Sequence, residues 1–95
     1  MESILNSQPG VCYICDRQGK TELHHIIFGT GYRKISDEMG LTCYLCQDHH
    51  RGTYGVHGRE GNEINRYLKR KAQYTYELTH TRDEWMEKIG RNYLD

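Results

Sequence analysis

Two regimes of hydrophobic patterning divide the chain near residue 60. Before it, apolar residues come in short clusters separated by glycine-containing and polar stretches; after it, they recur with helical period. "TELHHII", Thr21 to Ile27, combines β-branched and apolar residues and predicts a strand. "FGTGYR" supplies two glycines for a loop, "KISDEMG" reads as a helical turn ended by Gly40, and "LTCYL" as a second short strand. From Asn62, an N-cap residue type, Ile64, Tyr67, Leu68, Ala72, Thr75 and Leu78 fall on one side of a helix running to about Glu77. A last helix opens at "TRDE", where Thr81 and Glu84 have capping-box spacing, and closes at Gly90 after Trp85, Met86 and Ile89, all expected in the core. The fold class is therefore α+β. Residues 1–10, ending in Pro9-Gly10, read as a flexible lead-in, and 11–95 as one domain, its core at about 11–60 and a helical part at about 61–95.

Composition adds a constraint. A chain of 95 residues supports one modest core and commonly supplements it with metals or disulfides. It has no run of eighteen apolar residues, and "MESILNSQPG" lacks the basic flank and apolar stretch of a signal peptide. The expectation is a cytoplasmic protein with no membrane partner, where four cysteines point to metal or free thiols rather than disulfides. Net charge is zero, unusual for a nucleic-acid binder. Locally, however, Arg59, Arg66, Lys69, Arg70 and Lys71 face only Glu60 and Glu63, so that segment is net +3.

The cysteines and histidines carry the chemistry. Cys12 and Cys15, then thirty intervening residues, then Cys46 and His49 form a Cys-x2-Cys…Cys-x2-His set, four ligands of the kind zinc takes in a closed structural tetrahedron. Cys43 is a rival, since "CYLC" is itself a Cys-x2-Cys, but on a strand Cys43 and Cys46 point to opposite faces, and Cys43 reads better as a small buried residue. Once His49 is assigned to zinc, His24, His25, His50 and His57 remain, with His80 read as structural or exposed. If His49 and His50 open a helix, they lie about 100° apart around it, so one faces the zinc and the other a second site. Phosphodiester hydrolysis needs a base for water and a cation to neutralise developing charge, and four spare histidines match that supply. His24 and His25 can share a cleft only at a strand end or a bulge, because strand neighbours point apart.

Taken together, "CYIC", "LHHI" and "LCQDHH" resemble the HNH endonucleases of the ββα-metal (His-Me finger) class. "HHIIFGTGYRKIS…LCQDHHRGTYGVHG" resembles more closely the small phage and prophage proteins grouped with RecA-dependent, recombination-enhancement nucleases. The resemblance runs from about Cys12 to the terminal "GRNYL". It implies a zinc-stabilised ββα-metal core with C-terminal helices, and a phage- or prophage-encoded DNA endonuclease. In it His25 is the general base, His24 and His50 are ligands of a catalytic cation, magnesium or another divalent ion, and water attacks phosphorus to leave 5′-phosphate and 3′-hydroxyl ends. His57 is the third ligand by choice, since the commoner pattern puts a histidine where this chain has Tyr54. The middle asparagine of the motif is also missing: Gly40 and Leu41 stand there, so another group must position the base. Arg33, Lys34, Arg51, Lys69 and Arg70 are candidate contacts to the DNA backbone, and a recombinase filament or phage replication or packaging proteins are candidate partners. Two other readings stay open: a non-catalytic zinc-stabilised DNA-binding or protein-interaction module, and a chain whose histidines and cysteines hold two structural zincs.

Overall fold

The computed structural model describes residues 1–95 as a small, compact α+β unit, a two-stranded sheet with four helices. In chain order these are β1 (Glu22–His25), α1 (Tyr32–Met39), β2 (Thr42–Leu45), α2 (Gln47–Arg51), α3 (Asn62–Tyr76) and α4 (Arg82–Ile89). The strands pair antiparallel, with Glu22 opposite Leu45, His24 opposite Cys43 and His25 opposite Thr42. Ile26, Leu41, Leu45, Leu68, Trp85 and Ile89 form the centre of the core. No helix is long and apolar enough to cross a membrane.

α1 is longer than the single turn expected and takes up Tyr32 and Arg33 from the predicted loop. Gly31 (φ 85°) and Gly40 (φ 72°) bracket it in left-handed conformations that suit glycine. A Cβ on Gly40 would also meet the Glu2 carbonyl at 2.4 Å. Ser36 is buried because its hydroxyl donates to the Ile27 carbonyl and accepts from the Ile27 N–H.

Within residues 1–10, expected as a flexible lead-in, the stretch from Ser3 to Ser7 is docked on the sheet. Ile4 N–H donates to the Gly40 carbonyl, the Ser3 hydroxyl to the Thr42 carbonyl, and the Tyr44 N–H to the Ser7 hydroxyl, while Leu5 is buried. β2 carries backbone groups on the side away from β1, and the two serines satisfy them.

The buried face of α3 is also rotated from its predicted position. Leu68, Ala72, Gln73 and Tyr76 face the core, whereas Tyr67 and Leu78 are exposed, as is Met86 on α4. Gln73, which no hydropathy pattern would place inside, accounts for the rotation. Its amide donates to Glu77 and Asn92 and accepts from Tyr93 N–H, so it is fully buried and largely satisfied. Gly61 rather than Asn62 is the N-cap of α3. The capping box of Thr81 and Glu84 and the Gly90 terminus of α4 are present as predicted.

Between α2 and α3 the chain coils on itself. Gly55 N–H donates to the Gly52 carbonyl, Gly58 to Gly55, and Gly61 to Gly58, a glycine at every third position. A Cβ on Gly58 would lie 1.9 Å from the Gly52 carbonyl oxygen, on backbone that cannot step aside. Gly58→Ala is expected to destabilise the fold by roughly 1–3 kcal/mol or more through overpacking. At about 4–8 °C per kcal/mol this is readable as a lowered Tm in a thermal melt.

Candidate functional site

Two clusters sit on either side of α2. The first begins at the knuckle Cys12–Cys15, which closes on itself through Cys12 N–H to the Arg17 carbonyl and Asp16 N–H to the Cys12 carbonyl. Tyr13 N–H then donates to the Tyr44 carbonyl at 2.8 Å, which pins the knuckle against the end of β2. Cys46, the N-cap of α2, and His49, one turn on, complete the set. Cys15 Sγ lies 3.9 Å from Cys46 Sγ, and His49 Nδ1 lies 3.3 Å from Cys46 Sγ and 3.6 Å from Cys12 Sγ. Zinc–sulfur bonds of about 2.3 Å and zinc–nitrogen bonds of about 2.0–2.1 Å, set tetrahedrally, require ligand atoms roughly 3.5–3.8 Å apart. The four side chains therefore form a set that could hold a metal such as zinc. Burial opposes ionisation of Cys12, but the backbone N–H groups of Cys46, Cys15 and Ile14 and the Cys15 thiol outweigh it and bring its pKa down to about 6, favouring the thiolate a metal needs. Cys43 stands outside the set, and burial pushes its thiol up to about 12.

The second cluster is His24, His50 and His57, with ring centroids 4.8 to 5.5 Å apart. β1 supplies His24, α2 supplies His50, and the glycine coil supplies His57. Val56 N–H donates to the His49 carbonyl and His57 N–H to the His50 carbonyl, which folds the coil back along α2 and sets His57 beside His50. His25 ends β1, so both members of "LHHI" line one cleft of about 290 Å³ with Phe28, Arg33, His50 and His57. Burial, reinforced by His50, His57, His25 and the Lys69 ammonium, pushes His24 down to about 3, and burial also lowers His57. His24 Nε2 is buried without a hydrogen-bond partner, an atom that a cation in the cluster would satisfy.

Glu22 was not singled out in the sequence. Its carboxylate accepts from His50 Nδ1 at 2.8 Å and from Arg51 Nε at 2.9 Å, and the His50 hydrogen bond, with Arg51, holds it below the usual carboxylate range. With Nδ1–H committed to Glu22, His50 offers Nε2 to the cluster, the arrangement that orients ligand histidines in metal sites. Its signal was available: Glu22 is two residues before His24, on the same strand face.

The donor set decides which ions fit. Three imidazole nitrogens suit zinc, cobalt or nickel, and manganese binds them more weakly, with water filling its other positions; magnesium takes oxygen ligands and water, so this cluster does not fit magnesium as a resident ion.

The expected cationic residues divide. Arg33 and Lys34 both lie on α1, Arg33 having been expected in the loop before it; Arg33 lines the cleft, and Lys34 is exposed at 4.0 Å from Glu38. Lys69 lies 5.0 Å over the Phe28 ring. Arg51 is taken up by Glu22, and Arg70 donates to the Tyr93 and Leu94 carbonyls and fastens the C-terminal tail. His80 stacks on Tyr76 at 4.1 Å, away from both clusters.

Comparison with protein-family models, with curated proteins and with solved structures finds no match to this chain.

Purified protein is expected to carry one tightly held zinc, which His50→Ala and Cys43→Ala retain and Cys46→Ala loses, as read by elemental analysis; a second inert zinc surviving dialysis would overturn this division. Glu22→Gln is expected to weaken binding of manganese or cobalt to the histidine cluster about 10–100-fold. Isothermal titration checks this, with the zinc content of the Cys/His set unchanged.

Proposed function

We propose that this chain is an HNH-type, metal-dependent DNA endonuclease whose structural zinc sits at Cys12, Cys15, Cys46 and His49 and whose reaction takes place in the histidine cleft. The single observation that carries the reading is the convergence of His24, His50 and His57, with His25 on the same cleft wall and His49 turned to the other cluster. A module that only binds DNA or protein has no use for three imidazoles in mutual contact, two of them buried and one with an orphaned nitrogen.

In this reading His25 takes a proton from the attacking water. The water oxygen bonds to phosphorus and the bond to the 3′ oxygen breaks, that oxygen taking a proton from solvent water, which leaves 5′-phosphate and 3′-hydroxyl ends. Bound at His24, His50 and His57, a borderline divalent cation supplies the positive charge that the phosphoryl group needs as it accumulates negative charge. Asp37, on α1, lies with Oδ1 3.6 Å from His25 Nε2. That separation is longer than a hydrogen bond, so in this reading the carboxylate braces the ring's orientation from α1. It stands in for the positioning group that the missing asparagine would provide. Arg33 lines the cleft wall, and in this reading its guanidinium meets a phosphate oxygen.

The test is cleavage of supercoiled, linear and single-stranded DNA with manganese, cobalt, nickel, zinc or magnesium added in turn. Wild-type protein is expected to cut with a borderline cation, and His25→Ala to lose about 10²–10⁴-fold in rate while its zinc content is unchanged. Absence of cutting in every combination would sink the enzyme reading in favour of a binding module.

A further inference from the structure

We propose that the rim of the histidine cleft is a track for unpaired DNA, so that the strand presented to the site is single rather than part of a closed duplex. The proposal rests on the nuclease reading and adds the form of its substrate. Leaving the cleft, rings and cations alternate. Phe28 sits 5.9 Å from His24 and 5.7 Å from His57, centroid to centroid. The Lys69 ammonium lies 5.0 Å from the Phe28 ring and 5.6 Å from the Tyr93 ring, and the Arg91 guanidinium lies 6.0 Å from the Tyr93 ring. Phe28 remains 41% exposed and Tyr32, at the start of α1, 38% exposed.

Unpaired strands are held by this combination: bases stack on aromatic faces while cations follow the phosphates. In a duplex the base faces are already stacked on one another, so open rings at the cleft mouth would find only backbone and groove edges. Position is fixed in advance as well. Tyr93 N–H donates to the Gln73 side chain and the Tyr93 carbonyl accepts from Arg70, so the tail that carries Tyr93 is tied to α3 before any ligand arrives. Neither Lys69 nor Arg91 lies within ion-pair distance of a carboxylate, which leaves both charges available.

The experiment uses the full chain carrying His25→Ala, which prevents turnover, titrated by fluorescence anisotropy with manganese present. Three labelled oligonucleotides of about 12 nucleotides, within the span such surfaces cover, are compared: a single strand, its duplex, and the strand with abasic spacers in place of bases. The single strand is expected to bind about tenfold more tightly than either of the others. Adding Phe28→Leu or Tyr93→Leu should cost about tenfold on the single strand with less than a twofold change on the duplex, whereas Phe28→Trp should retain binding. The abasic comparison needs no ring substitution, so it holds even if a variant fails to fold. Equal binding of normal and abasic strands, or equal loss on single strand and duplex, would overturn the track while leaving any observed plasmid cleavage, and the nuclease reading with it, intact. Binding to no DNA form, together with no cleavage, would overturn both.

Discussion

The peptide bond between His49 and His50 is the constraint on which the rest of the structure depends. Successive residues of a helix point about 100° apart, so α2, only five residues long, cannot send both side chains into one site. It faces His49 toward Cys12, Cys15 and Cys46 and His50 toward His24 and His57. Any rotation of α2 that improved one cluster would spoil the other. The helix must therefore be held from both sides, and a single turn has too few contacts of its own to do so.

The surroundings supply that hold. On one side the knuckle is fixed to β2 through Tyr13 and Tyr44, so the Cys/His set can cross-link the start of the domain to the first turn of α2. On the other side Glu22 grips both His50 and Arg51 from β1. The glycine coil closes the remaining side, since the Val56 and His57 N–H groups satisfy carbonyls that the short helix would otherwise leave bare. Glycine at 55, 58 and 61 is required there because backbone passes within about a van der Waals radius of where a Cβ would sit. Fold and candidate site are thus the same construction: the contacts that locate α2 are the ones that bring the ligands together.

Much of this was legible from residue type and spacing. The Cys/His quartet follows from two matched chelating pairs, and the Thr81–Glu84 cap and Gly90 stop follow from local chemistry that tertiary context did not override. What was not legible depended on partners distant in sequence. Gln73 is polar and reads as surface until Asn92 and Tyr93 arrive to bond it, and that misplaced the exposed Tyr67 and Leu78. Ser3 and Ser7 read as a loose terminus until β2 offers them backbone groups. Arg70 and Arg51 looked free for phosphate because the tail carbonyls and Glu22 that occupy them lie more than twenty residues away.

The histidine cluster also has a consequence for the fold in the absence of a cation. Of the three imidazoles in ring contact, His24 is the most buried and is held neutral down to about pH 3. In the unfolded chain the same group takes a proton near its ordinary value of 6.5. Between those values the unfolded state binds more protons than the folded one, so stability falls as pH drops from about 6.5 toward 3. A cation bound by the neutral rings would compete with protons for the same lone pairs and oppose that loss. The site's readiness for a metal and its sensitivity to acid are therefore one property: lone pairs kept free of protons at the expense of stability in acid.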